Sequence, residues 1–309
     1  MSEDDFNIKF FAPQLARCDN RAVIAAENPI ILGPNNWVDE IVALDDNIIA
    51  ASFDFFVDWT TNPLAVQNEF WFKFPVTGDV GLEKVDEDVL RKVLRCNQDF
   101  VALSRLCRKM NLEAKAIMFN ADEDYKDSTS VVVFTVSGID KTSSFEFINL
   151  LELKNRIKGL SGGSISIGRK GLMYGTTRLE CFLSGTDALW PGDADLMIYA
   201  KDSDRILALF EFKKHTRQAR ATFEQQDISL YYPRPDGRKY NRLMALSQKF
   251  DYDIPVYLVF YCNFREQTEL IVQRLVSTGN GIESAERFTT QALRDAGDVA
   301  RVLLELANP

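Results

Sequence analysis

Four side chains between Gly192 and Lys214, in GDADLMIYAKDSDRILALFEFKK, have types and spacing that suit phosphoryl chemistry: Asp193, Asp195, Glu211 and Lys213. Side chains alternate along a strand, so Leu207, Leu209, Glu211 and Lys213 share one face, and Ile206, Ala208, Phe210 and Phe212 the other. A three-residue hairpin loop at Asp202, Ser203 and Asp204 pairs Lys201 with Arg205 and brings Asp195 opposite Glu211. Directly opposed residues have Cβ atoms roughly 5 Å apart. Two carboxylates that close repel each other unless a cation lies between them. Hard oxygen ligands favour Mg²⁺ or Mn²⁺ over zinc. Lys213 beside them can orient an attacking water or steady charge on phosphorus, while such an ion lowers the water's pKa.

This pattern resembles the PD-(D/E)XK nuclease superfamily, in which an acid at a strand start is followed, after a hairpin, by acid, any residue, lysine. Here the triplet is Glu211, Phe212, Lys213. Pro191 precedes Gly192, and either Asp193 or Asp195 can be the motif aspartate. The register favours Asp195, with Asp193 as an assisting ligand. The resemblance spans residues 145 to 265. It implies an α/β (α+β) protein with a mixed central sheet and an αβββαβ restriction-endonuclease-like core in the C-terminal half. It also implies Mg²⁺ or Mn²⁺ as cofactor and nucleic acid as substrate, DNA ahead of RNA. Many members add a further acid, for which Glu146, Glu152 and Glu180 are all candidates.

The elements around the motif follow the same order. The pattern predicts a helix near 145–158, a strand near 177–183, the hairpin, a crossover helix near 216–231 and a strand at 254–262. On that crossover helix Phe223, Gln226 and Leu230 share a face, and the resemblance, through RecB-like members with a similar helix, implies that Gln226 leans toward the site. Triplet spacing alone does not define a site, since Glu113-Ala114-Lys115 and Glu152-Leu153-Lys154 share it without the hairpin.

Charge is unevenly spread. The net charge is −9 over 309 residues, which argues against indiscriminate polyanion binding. Residues 201–250 nevertheless hold eleven lysines and arginines against six acids. Lys214, Arg217, Arg220, Arg238 and Lys239, with Gln226, are the candidate nucleic-acid contacts, and Tyr231, Tyr232 and Tyr240 are interleaved for stacking. Residues 1–60 hold eleven acids and three bases, an acidic face that could repel nucleic acid from the wrong surface, dock a basic protein partner or cover the basic groove.

The amino-terminal half reads as a separate α+β domain, 1–140, ahead of a nuclease-like domain, 141–309. NIIAASFDFFVDW and NEFWFKF read as strands. A single long helix follows from about residue 83, with a buried stripe at Val89, Val93, Cys96, Phe100, Leu103 and Cys107. AKAIMF and STSVVVFTVSG read as further strands, and Leu293 to Leu306 as a closing helix. No internal repeat is visible. The glycines between 159 and 175 lack the lysine and fingerprint spacing of a phosphate loop.

No apolar run approaches 18 residues, and the acidic start lacks a signal pattern, so no membrane association and a cytoplasmic location are expected. Five cysteines without paired metal-ligand spacing are expected to be reduced thiols. The single histidine, His215, excludes a paired-histidine centre within one chain.

Two other functions fit parts of the pattern. One is a nucleotidyltransferase using the Asp193/Asp195 pair, with Thr186 where that family has serine. The other is a non-catalytic nuclease-fold protein that binds or inhibits a partner.

Overall fold

Strands form where β-branched and aromatic residues alternate, and helices where apolar residues recur three and four apart. The computed structural model describes residues 16–17, 30–76, 82–121, 123–138, 141–165, 174–175, 177–188, 192–217, 219–233, 237–250, 252–279 and 281–308. Most of the acidic first 29 residues, together with Gly168, Gly171, Pro191 and Arg234, lie outside these. The described elements begin with β1 (Ala16–Arg17), α1 (Pro34–Leu44), β2 (Ile48–Asp58), β3 (Ala65–Val76), α2 (Glu87–Cys96) and α3 (Gln98–Lys109). Next come β4 (Glu113–Asn120), β5 (Ser130–Gly138), β6 (Lys141–Asn149), α4 (Leu150–Leu160), β7 (Tyr174–Gly175) and α5 (Arg178–Ser184). The chain ends with β8 (Gly192–Ala200), β9 (Arg205–His215), α6 (Gly237–Ser247), β10 (Val256–Cys262), β11 (Ile271–Thr278), β12 (Gly281–Thr289) and α7 (Ala296–Ala307). The class is mixed α/β.

Two compact units make up the chain: Met1–Ala22 with Phe53–Asp193, and Val23–Ser52 with Ala194–Pro309. The division falls between Asp193 and Ala194, away from the boundary near 140 read from the sequence. In the first unit β2 and β3 are antiparallel, β3 and β4 parallel, and β4, β5 and β6 antiparallel in turn. In the second unit β8 and β9 are antiparallel, β9 and β10 parallel, and β10, β11 and β12 antiparallel in turn. Each parallel step needs a crossover, which α2 and α3 supply in the first unit and α6 in the second. A closing helix follows each run, α4 or α7. One architecture therefore occurs twice, although the sequence shows no repeat.

The two faces of each sheet are filled differently. In the first unit Trp71, Ile117, Phe119, Val131 and Val133 pack under Leu150, Leu153 and Ile157 of α4 and Leu179 and Leu183 of α5. On the crossover face Phe72 and Phe74 meet Phe100 of α3 edge-on at 5.1 and 5.3 Å. Phe53 stacks on Phe70 at 4.6 Å. In the second unit Trp37 of α1 stands edge-on to Phe212 and Tyr261 at 5.4 and 5.0 Å. Tyr257 donates to the Leu306 carbonyl of α7 at 3.0 Å. Edge-to-face aromatic pairs add about 0.5–1.5 kcal/mol each beyond area burial, so these contacts fix which face of β9 is closed and which is left toward α6.

Four element assignments read from the sequence are corrected. Residues 145–149 are strand, and the helix starts at Leu150. Asn149 and Glu152 form a reciprocal capping box there, which marks a helix start. Residues 178–184 are helix α5, not strand: the Thr177 side chain accepts from the Glu180 N–H, and Leu179 and Leu183 lie one turn apart on the core side. The expected helix at 216–231 is absent among the described residues. There Gln225 accepts from the Thr222 N–H, and Asp227 accepts from the Ser229 N–H. Such local bonds compete with a helical ladder, and the crossover helix is α6 instead. The single long helix is broken at Asn97, whose side-chain amide donates to the Val93 carbonyl at 2.7 Å.

Cys181 is disulfide-bonded, which corrects the expectation of wholly reduced thiols. Approach in space decides a disulfide, and sequence spacing does not report it. Cys96, Cys107 and Cys262 are free. No described helix is long and apolar enough to cross a membrane.

Candidate active site

The β8–β9 hairpin aligns the motif by a route different from the one expected. Ala200 pairs with Arg205, so the turn holds four residues, Lys201 to Asp204. Asp204 adopts φ 54, a left-handed position that aspartate tolerates. The longer turn alone would slip the register by one residue and turn every later side chain to the wrong face. An irregularity between Ile198 and Tyr199 restores it, so that Leu196 opposes Phe210. Continued by one residue, this register sets Asp195 opposite Glu211.

Asp195, Glu211 and Lys213 come together with Lys239 of α6. Lys239 Nζ lies 3.0 Å from Asp195 Oδ1 and 2.7 Å from Glu211 Oε2. Lys213 Nζ lies 3.3 Å from Glu211 Oε1. Asp195 Oδ2 accepts from the Phe212 N–H at 2.8 Å, which ties the carboxylate to β9. The Glu211 side chain is only 1% exposed. Its Oε2 makes no hydrogen bond, so the Lys239 contact holds it by charge without hydrogen-bond alignment. Burying a carboxylate oxygen this way is costly unless a cation meets it.

A buried carboxylate oxygen without a hydrogen bond, facing a second carboxylate across an ammonium, suits a hard divalent ion. Asp195 and Glu211 would hold it. Among the described residues no group of three or more His, Cys, Asp or Glu side chains is gathered for a metal. The pair would therefore rely on water and phosphate oxygens to complete a shell, as Mg²⁺ sites commonly do.

Aromatic rings steady the lysine. Lys213 Nζ lies 5.5 Å from the centre of the Tyr231 ring and 5.7 Å from that of Tyr240, within cation–π range. Tyr231 donates its hydroxyl to Gln226 Oε1 at 2.7 Å. Gln226 does reach toward the site, but from an irregular segment, where it is buried and positions Tyr231. Tyr232 packs on the first residue of α6. A Cβ on Gly237 would approach that ring to 3.1 Å, and one on Gly281 to 2.7 Å. Gly281 also has φ +126, where a side chain is strained.

The remaining sequence-selected residues are scattered. Asp193 belongs to the first unit, where its field acts on Lys73. Lys214, Arg217, Arg220 and Arg238 are exposed, and Arg217 pairs with Glu266 at 2.5 Å. Lys239, expected as a nucleic-acid contact, lies inside the carboxylate pair. Glu146 is bridged by Arg156, Glu152 caps α4, and Glu180 pairs with Lys73. The other two triplets are structural: Lys115 pairs with Glu69 and Glu113, and Lys154 with Asp127. His215 lies between Phe223 and Phe264. Burial holds its pKa below the usual value, against a smaller opposing effect of Glu224.

A second charged cluster, missed in the sequence, lies in the first unit. Lys73 Nζ is 3.1 Å from Asp54 Oδ1 and also pairs with Glu180. Burial alone would push the Lys73 ammonium down. Asp54, Glu180 and Asp193 outweigh that and hold it charged, with its pKa raised. The only sequence sign was a lysine alternating with aromatic residues in EFWFKF.

No protein-family model and no curated protein matches the chain. Among solved structures, a sex pheromone staph-cAM373 precursor is 13% identical at a TM-score of 0.18, over 84% of this chain and 82% of that one. A sex pheromone precursor from Lactobacillus salivarius is 11% identical at a TM-score of 0.18, over 78% and 67%. Scores this low carry neither fold nor function to this chain.

Proposed function

We propose that the second unit is a Mg²⁺- or Mn²⁺-dependent nuclease that hydrolyses phosphodiester bonds, with DNA favoured through the motif resemblance. The observation that carries this reading is the meeting of Asp195 and Glu211 around one cation, 3.0 and 2.7 Å from its nitrogen, with Lys213 on the same carboxylate. Asp195 and Glu211 would hold the metal. Lys213, held over two tyrosine rings, orients the attacking water and steadies the negative charge that develops on the phosphoryl oxygens. A divalent ion bound there would lower the pKa of a coordinated water and screen the phosphate oxygens. The exposed Lys214, Arg217, Arg220 and Arg238 contact the phosphate backbone and add salt-dependent affinity.

The test is cleavage of single- and double-stranded DNA and RNA, with Mg²⁺ or Mn²⁺ and with EDTA. Cleavage is expected to need the metal and to be lost in Lys213→Met. A Lys213→Met protein that cuts as well as the parent would overturn the catalytic assignment.

One observation favours a second reading, a non-catalytic binding protein on the same fold. Lys239 and Lys213 together already neutralise the carboxylate pair without metal. On that reading Mn²⁺ does not bind at Asp195 and Glu211, and nucleic acid or a protein partner is bound without being cut.

A further inference from the structure

Resting on the nuclease reading, we propose that Lys239 is a tethered counter-ion that competes with the metal for Asp195 and Glu211 until a phosphate draws its ammonium away. Two carboxylates and two ammonium groups, Lys213 and Lys239, make the cluster neutral. A divalent ion entering beside both lysines would face two like charges at contact distance, and such repulsion is strong where water is scarce. One lysine must withdraw.

Geometry selects Lys239. It contacts both carboxylates, so it stands where an ion bridging them would stand, whereas of this described pair Lys213 touches Glu211, at Oε1. Lys213 projects from β9 near its C-terminal end and is flanked by Tyr231 and Tyr240. Lys239 comes from the first turn of α6, its side chain is no more exposed than that of Lys213, 22% against 24%, and its contact with Glu211 lacks hydrogen-bond alignment. A long, partly exposed lysine can swing toward solvent at little cost. Its neighbour Arg238 is exposed, so the withdrawn ammonium joins a basic edge suited to phosphate.

Metal and phosphate then assist each other. Phosphate stabilises the withdrawn lysine, the withdrawn lysine vacates the metal position, and by linkage each ligand raises the affinity of the other. The free protein would hold metal weakly and bind it firmly only with substrate present.

The experiment is calorimetric titration of the full chain with Mn²⁺, with folding checked by circular dichroism. Lys239→Met and Lys239→Gln are expected to bind Mn²⁺ tighter than wild type by on the order of ten- to a hundredfold, the span over which groups beside a metal site move its affinity. Adding Asp195→Asn to either should abolish the gain. In wild type a short phosphorothioate single-stranded oligonucleotide should tighten Mn²⁺ binding, and in Lys239→Met it should do so far less. That wild-type arm decides the matter should both lysine variants misfold. Equal or weaker Mn²⁺ binding by the lysine variants, with binding still lost in Asp195→Asn, overturns the competition but leaves the metal site standing. No Mn²⁺ binding by any folded form, with or without oligonucleotide, overturns the competition and the metal-dependent reading together.

Discussion

The two units share one sequence of strands and crossovers, yet they fill the corresponding face with opposite chemistry. In the first, the face under the crossover helices is closed by Phe53, Phe70, Phe72, Phe74, Phe100 and Phe134. In the second, the face toward α6 holds Asp195, Glu211, Lys213 and Lys239. This architecture can evidently be closed there with apolar side chains, phenylalanine foremost. The charges in the second unit are therefore not needed to complete the fold, and a buried ion cluster is weak as a source of stability. Their presence where packing does not require them is the strongest reason to assign that face a function.

The first unit has its own charges, but on the other face. Phe70-Trp71-Phe72-Lys73 and Phe210-Glu211-Phe212-Lys213 align residue for residue. In the first unit Phe72 turns to the crossover helix, and Lys73 turns to Glu180 of α5. In the second unit Phe212 turns to Trp37 of α1, and Lys213 shares the face of α6. A one-residue change of phase inverts every side chain. Similar words thus mean a buried structural ion pair in one place and a candidate catalytic group in the other.

The comparison is broken most severely by exchanging its two lysines. Lys73→Met leaves Asp54 and Glu180 buried without their cation and should cost about 3–5 kcal/mol of stability, read by denaturant unfolding. Lys213→Met leaves Glu211 paired with Lys239. It should cost under about 1 kcal/mol while lowering cleavage on the order of 10²–10³-fold. Equal stability losses would erase the distinction between structural and functional charge. Phe100→Ala should cost about 3–5 kcal/mol, since its ring meets Phe72, Phe74 and Phe134. A near-neutral result would mean that the aromatic face does not hold the first unit together.

Smaller effects sharpen the second unit alone. Gly281→Ala drives a methyl group against the Tyr232 ring and should cost about 1–3 kcal/mol. The smallest effect concerns His215. Its folded pKa is lowered by burial, so below about pH 6.5 the unfolded chain takes up a proton that the folded chain resists. Stability should fall as pH drops through that value, and His215→Phe should remove this part of the slope in urea melts.

Much of the second unit was legible because hairpin register follows from alternation. The opposition of Asp195 and Glu211 was readable even though a longer turn and a bulge, neither visible in the pattern, offset each other. Lys239 was legible only as one more basic residue. Its place in the cluster depends on how α6 lies against β8 and β9, which no local pattern reports. The strand expected at 177–183 was misread because alternation and helical spacing coincide over so short a run. The cap formed by Thr177 and Glu180 was the better guide.

Composition and periodicity alone determined the strands with long alternating runs, the closing helix and the carboxylates and lysine brought onto one face of the β9 hairpin, because these depend on neighbours a few residues away. Tertiary structure decided the doubling of the architecture, the opposite faces of Lys73 and Lys213, and the arrival of Lys239 between two carboxylates. Each of these depends on which distant helix covers which side of a sheet, a choice made by the summed packing of residues that no local pattern connects.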